Sequence, residues 1–521
     1  MNKTKRPGFR FYIVLLMFCL ETILVICILL LASLFPFAVN YFWIPFLAYI
    51  IVNSLNALFI INTNVNTAFR LSWITITIIF PFAGLIIYWL YADKITTKKM
   101  KKIRFSTINS ELGKGLVIKN DVLNNIQIEN QDAYAISNYI LKNSFSAPYQ
   151  NSSLEYFSMG DYVVESMLEE LKKAKKFIFM EYFIIEYGSF FNSIYEILKE
   201  KANEGLDVRL IYDDFGSIFK INANFYKKAI KDGIKCYSFN RCRPFMDIRQ
   251  NNRDHRKMII IDGVCAFTGG MNIADEYINK VERFGLRKDN CLMIKGEAVN
   301  GFTNLFLSNR KLLERDKEIN HLLYTYESNK CLREENIISD GFIQPFGDVP
   351  FDNEETARNV LLQLISRAKK SIYISTPYLV PDDDLISALI NASKSGIDVK
   401  IITPGIPDKK VCYSLTRSYY GKLAFYGIKI YEYTPGFNHT KLYVIDDKFA
   451  VTGTVNFDFR SLYLHFENAV FLYANSKVAN MKEDLLNMVE ISKKIDDDKY
   501  INVGIFKKLY RSILKIFAPL F

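Results

Sequence analysis

One pattern, written twice at identical spacing, constrains this chain more than anything else in it. His255-Arg256-Lys257 leads into the apolar run Met258-Ile259-Ile260-Ile261, then Asp262, six further residues and Gly269-Gly270-Met271-Asn272. His439-Thr440-Lys441 leads into Leu442-Tyr443-Val444-Ile445, then Asp446, six residues and Gly453-Thr454-Val455-Asn456. Both copies read H-x-K-x4-D-x6-G-[GT]-x-N, and they hold two of the four histidines of a 521-residue chain. One copy is a weak motif; two in register imply a duplicated unit. The flanking segments agree. Residues 175–180, 193–204 and 207–212 read as strand, helix and strand, with Gly205 as the left-handed helix stop. Residues 368–374, 385–394 and 398–402 repeat that order around Gly396, and 233–237 corresponds to 427–431. This predicts α/β architecture in two copies, near 150–330 and 345–495.

The motif spacing has a chemical meaning. His and Lys two apart on an extended segment face the same way. The four apolar residues make a buried strand and the Asp ends it. The Gly-rich turn lets backbone approach a ligand closely, and its Asn offers side-chain donors. Two such faces across a pseudo-twofold axis present two imidazoles, two ammonium groups and two amides, a set suited to a phosphate diester. One neutral His attacks phosphorus while the other, protonated, donates to the leaving alkoxide. Lys257, Lys441, Asn272 and Asn456 are available to hold the non-bridging oxygens.

The N-terminal part has a different character. Residues 11–34 carry a single charge, Glu21; 37–61 carry none, though Asn40, Asn53 and Asn56 dilute them; 72–91 carry none. Each run reaches the roughly 20 residues that a membrane-crossing helix needs. Residues 1–104 are therefore expected to form a membrane module with two or three transmembrane helices. Lys3, Lys5, Arg6 and Arg10 precede the runs, Lys94, Lys98, Lys99, Lys101, Lys102 and Arg104 follow them, and only Arg70 lies between. Positive charge marks the cytoplasmic side, so both topologies place everything beyond residue 105 in the cytoplasm of a multi-pass cell-membrane protein. The formal net charge of +11 suits an anionic partner without choosing between nucleic acid and acidic lipid. None of the eight cysteines forms a C-x-x-C pair, so zinc is not expected and reduced thiols are.

The duplicated H-K-D pattern resembles that of the phospholipase D superfamily over essentially the whole of the chain beyond residue 105. Within the superfamily the chain is similar to the bacterial cardiolipin synthases. The supporting stretches are Gly269-Gly270-Met271-Asn272-Ile273-Ala274-Asp275-Glu276-Tyr277, Gly453-Thr454-Val455-Asn456-Phe457-Asp458-Phe459-Arg460-Ser461 and Tyr431-Glu432-Tyr433. Gly270 and Thr454 replace the superfamily's usual Ser, as in the synthase branch. The resemblance implies N-terminal transmembrane helices followed by two tandem phospholipase D-like α/β repeats, 105–335 and 336–495, forming one pseudo-twofold catalytic unit, with a basic amphipathic segment at 496–521. It implies a covalent phosphohistidine, no metal and no cofactor. His255 takes the nucleophile's role and His439 that of general acid and later base. Asp289 and Glu467 are the positional matches for the carboxylates that orient the histidines, although Leu286-Arg287-Lys288-Asp289 lacks the family's Trp-x-Asp. Asp262 and Asp446 are expected to support the site structurally. The implied reaction moves a phosphatidyl group from one phosphatidylglycerol to another and releases glycerol. The partners are then an anionic phospholipid and the membrane, not nucleic acid.

Three alternatives stay open: a hydrolase producing phosphatidic acid, which differs only in acceptor access; a phosphodiesterase acting on nucleic acid, against which the three apolar runs count; and a non-enzymatic membrane scaffold, against which two intact motifs count. His321 and His465 lack a motif Lys and read as packing residues. Asp382-Asp383-Asp384 follows Pro381 and reads as a helix start. Residues 506–521 read as an amphipathic helix, either packed on the protein or lying on a membrane surface.

Overall fold

The structure is a computed structural model that describes residues 36–63, 65–92, 106–114, 118–241, 251–314, 318, 320–332, 337, 339–352, 354–495 and 503–520, with isolated positions between 16 and 30. The chain divides into two compact units, one built on the N-terminal residues to Lys99 with Ser512–Phe521, the other on Met100–Arg241 and Asn251–Arg511.

In the first unit, helices span Pro36–Ile61, Thr67–Ile79 and Pro81–Tyr91. Among the described residues no helix is long and apolar enough to cross a membrane. The expected run at 72–91 is broken in two, because Pro81 offers no N–H to continue the ladder and Phe80 leaves helical geometry at φ −127°, ψ 79°. The expected span 11–34 and the basic flanks lie largely outside the described residues. The two charges in or between the apolar runs have local work. Glu21 is buried and accepts the N–H groups of Phe82 and Ala83, both at 2.9 Å, at the start of the third helix. Arg70 donates to Ile61 O at 2.8 Å, at the end of the first.

The second unit is α/β. Its strands are β1 (Ser152–Phe157), β2 (Phe177–Tyr182), β3 (Asp207–Asp213), β4 (Lys235–Phe239), β5 (Lys257–Ile261), β6 (Cys265–Gly269), β7 (Leu286–Lys288), β8 (Cys291–Gly296), β9 (Phe342–Asp348), β10 (Ser371–Ser375), β11 (Asp398–Pro404), β12 (Lys429–Tyr433), β13 (Gly436–Asn438), β14 (Leu442–Ile445), β15 (Phe449–Gly453), β16 (Glu467–Tyr473) and β17 (Ser492–Lys494). One sheet has the order β1-β8-β6-β5-β2-β3-β4, the other β17-β12-β11-β10-β14-β15-β16-β9, and β7 pairs with β13. Reversed, the second reproduces the first: a parallel trio (β2-β3-β4, β10-β11-β12) beside an antiparallel trio (β5-β6-β8, β14-β15-β16). The two repeats share one core, in which Phe177, Phe179 and Ile260 join Tyr373, Leu442, Val444 and Val470. Ile178, Met180 and Ile259 point to the other face, where helices Val164–Lys172 and Ser189–Asn203 cover them. Coverage on both faces is why these strands read as unbroken apolar runs.

The expected first strands start two to three residues late. Asp262 accepts the N–H groups of Lys175, Lys176 and Phe177 at 2.7–2.8 Å, so Lys175 and Lys176 are held by a carboxylate instead of the ladder. Asp446 does the same for Lys369, Lys370 and Ser371 at 2.7–3.0 Å. Both aspartates sit at φ +52°, the tight corner between the two motif strands.

Candidate active site

The register of β5 against β2, with Lys257 opposite Tyr182, puts His255 beside the C-terminal ends of the parallel strands. β14 does the same for His439. Neither His lies within its strand, which differs from the expected extended pair: β5 begins at Lys257 and β14 at Leu442. Lys257 Nζ turns back to donate to His255 O at 2.7 Å, and Lys441 Nζ to His439 O at 2.5 Å. Both lysines are fully buried.

Each imidazole takes its carboxylate from the other repeat. His255 Nδ1 meets both oxygens of Glu467 at 3.0 Å, and His439 Nδ1 meets Asp289 Oδ2 at 2.6 Å. The backbone is exchanged in the same way: His255 N donates to Phe466 O at 2.9 Å and His439 N to Lys288 O at 2.7 Å. Below them a second crossed pair binds the halves. Asn290 Nδ2 donates to Thr452 Oγ1 at 2.7 Å, and Asn468 Nδ2 to Thr268 Oγ1 at 2.8 Å. The two carboxylates are held differently. Glu467 also accepts from Ser461 Oγ at 2.7 Å and from Thr454 Oγ1. Asp289 accepts from Asn290 N at 3.0 Å, and a Cβ on Gly270 would lie 2.1 Å from its Oδ1.

Burial and the neighbouring lysines hold both imidazoles well below the usual histidine range, which favours their neutral forms. Burial lowers Lys257 to about 8, and lowers Lys441 as well. Burial raises Asp289 to about 6, against the pull of Lys441 and Arg287.

The site brings together His255, Lys257, His439, Lys441, Asp289 and Glu467. Asp262 and Asp446 stand apart at the strand corners. Asn272 is engaged inside the protein: its Oδ1 accepts Ile184 N at 3.1 Å and its Nδ2 donates to Tyr277 Oη at 2.6 Å. Asn456 Oδ1 is buried without a hydrogen-bond partner. Several neighbours went unread in the sequence. Phe183 lies edge-on to His255 with centroids 5.0 Å apart, and Tyr277 edge-on to His439 at 5.4 Å, with Arg287 over the Tyr277 ring. Ser461 has no signal beyond its place in the motif stretch. His465, read as a packing residue, is buried with its ring 5.4 Å from that of His255. Among the described residues, His255, His465 and Glu467 are the one group able to offer three metal-ligating atoms within 4.8 Å of one another.

A duplicated α/β fold with two buried His-Lys pairs, each imidazole backed by a carboxylate, defines a phospholipase D-like enzyme. Residues 167–308 and 361–489 match the family described as "Cardiolipin synthase, PLD-like domain". An uncharacterized protein of Streptococcus mutans is 34% identical over 465 residues, which cover 89% of this chain and 99% of that one. A cardiolipin synthase of Alkalihalophilus pseudofirmus is 33% identical over 456 residues, 86% of this chain and 88% of its own. The crystal structure of phosphatidylserine synthase from Haemophilus influenzae shares the fold with a TM-score of 0.56 at 17% identity, covering 75% of this chain and 98% of that one. The chain belongs to the cardiolipin synthase family of the phospholipase D superfamily.

Proposed function

We propose that this enzyme is a cardiolipin synthase that joins two phosphatidylglycerol molecules through a phosphohistidine. The observation that supports the mechanism is the pairing of each Nδ1 with a carboxylate from the other repeat; Nε2 of His439 lies 3.0 Å from Lys441 Nζ, an ammonium group that the anionic diester would draw to itself. His255 Nε2 attacks the phosphorus of the first phosphatidylglycerol. The bond from phosphorus to the glycerol oxygen breaks, and His439 gives that oxygen a proton. The anionic diester supplies the negative charge that offsets Lys257 and Lys441 and so lets His439 carry the proton it must deliver. Glu467 stabilises the cation that forms on His255. The headgroup hydroxyl of a second phosphatidylglycerol then gives its proton to His439 and attacks phosphorus. The P–N bond breaks, which frees His255 and yields cardiolipin.

Attachment to the membrane through residues 1–104, with the catalytic unit on the cytoplasmic side, belongs to the same reading. It is supported by the large apolar side chains that the helix Pro36–Ile61 exposes, among them Leu47, Ile51, Leu55 and Phe59. The helix Ile505–Ile516 likewise exposes Ile505, Phe506 and Leu509 among lysines. Membranes containing the protein, given labelled phosphatidylglycerol, are expected to form cardiolipin and glycerol. The same membranes with His255→Ala or His439→Ala are expected to form neither. Phosphatidic acid without cardiolipin would favour the hydrolase instead, and turnover that survives both substitutions would end the catalytic reading.

A further inference from the structure

The register that places the histidines also fixes what surrounds the mouth of their site. β3 and β11 lie beside β2 and β10, so the segments that follow Asp213 and Pro404 emerge at the end of each sheet where His255 and His439 stand. The first of these segments exposes Phe215, Ile218 and Phe219, and Phe219 is 84% accessible. The second exposes Ile406, and next to it Lys409 and Lys410. Both are joined to the site. The Arg253 guanidinium, two residues before His255, lies 4.9 Å from the Phe215 ring centroid. Ile406 N donates to Gly436 O at 3.2 Å, three residues before His439, and Lys409 helps hold the His255 imidazole neutral. Chain turns at strand ends are ordinarily polar, and aromatic and aliphatic side chains exposed on both of these are anomalous for a surface meeting only water.

We propose that these two segments are an interfacial rim, whose apolar tips enter the acyl region of an anionic bilayer while Lys409 and Lys410 meet lipid phosphates. The charges are complementary: both lysines are exposed, whereas Lys220 on the other segment is answered by Glu186. Insertion of apolar side chains beside lysines is the usual chemistry of peripheral contact with acidic lipid. On the proposed function, the rim sets the depth at which a diester can leave the bilayer for His255.

The test uses the full-length protein in vesicles of phosphatidylglycerol and phosphatidylethanolamine. A photoreactive benzoylphenylalanine is placed at Phe219, at Ile406, or at Ile128, which is equally exposed at 84% but lies on the helix Asn120–Glu129. Labelled lipid is expected to cross-link at positions 219 and 406 and not at 128. Absence of lipid adducts at 219, or adducts to protein there, overturns the proposal. In a second arm, Ile218→Ser with Phe219→Ser is expected to lower turnover of vesicle phosphatidylglycerol about tenfold. Turnover of a short-chain, monomeric phosphatidylglycerol should stay unchanged. Equal loss on both substrates, or no loss on either, counts against the rim. The cross-links do not depend on turnover, so a wild type that makes no cardiolipin would refute the proposed reaction and leave the rim standing.

Discussion

Gly270 and Thr454 fill the same slot of the two motifs, and each is fitted to the carboxylate behind it. Thr454 donates to Glu467, whereas at Gly270 the space is taken by Asp289 itself. Gly270→Ala is therefore expected to push Asp289 off His439 and lower kcat about a hundredfold, with KM little changed, in steady-state assays. The titrating groups set a pH profile. On the proposed mechanism Asp289 is ionised to support a protonated His439, so as pH falls through about 6 it gains a proton and activity is expected to decline. On the same mechanism Lys257 holds the phosphate while charged, so activity is also expected to decline as pH rises through about 8. A profile of kcat/KM against pH should peak between these values, and Asp289→Asn should remove the acid limb along with most of the rate. The motif spacing made the His and Lys residues legible, and position alone pointed to Asp289 and Glu467. Ser461, Phe183 and Tyr277 were not legible, since one-sidedly placed hydroxyls and rings leave no periodic trace.

The corner aspartates show how an element is delimited. Three backbone N–H groups converge on Asp262 from the start of β2, and its own N–H donates to Phe177 O at 3.0 Å. Asp262→Ala leaves those donors without acceptors and puts alanine at a left-handed φ. A loss of about 3 kcal/mol is expected, and Asp262→Asn, which keeps an acceptor and tolerates that conformation, should lose less. Chemical denaturation of the purified full-length variants measures both. Strand and helix order was readable from apolar runs and glycines, and the starts of β2 and β10 were displaced where this clamp competes with the ladder. At residues 72–91 hydropathy averaged over Pro81, although the ring was a written warning of the break.

The two repeats are one object because their inner faces share a core and each supplies the carboxylate to the other's imidazole. Residues 1–335 and 336–521 made as separate chains should each be inactive, since Glu467 is absent from the first and His255 from the second. Made together they should co-purify and recover cardiolipin formation. Recovery by either fragment alone would contradict the exchanged geometry. Duplication was plain in the sequence, because identical spacing survives in both halves. The exchange of carboxylates was not, because distance along the chain carries no information about which half an oxygen will face.

That exchange also sets what a single repeat could hold by itself. One repeat alone holds an imidazole without its acidic partner, so two identical repeats would complete the pairs only by meeting symmetrically. Carrying both repeats on one chain keeps them paired and lifts the demand that the halves be alike. Glycine against threonine within the motif, and aspartate against glutamate beside the rings, are places where the two halves differ.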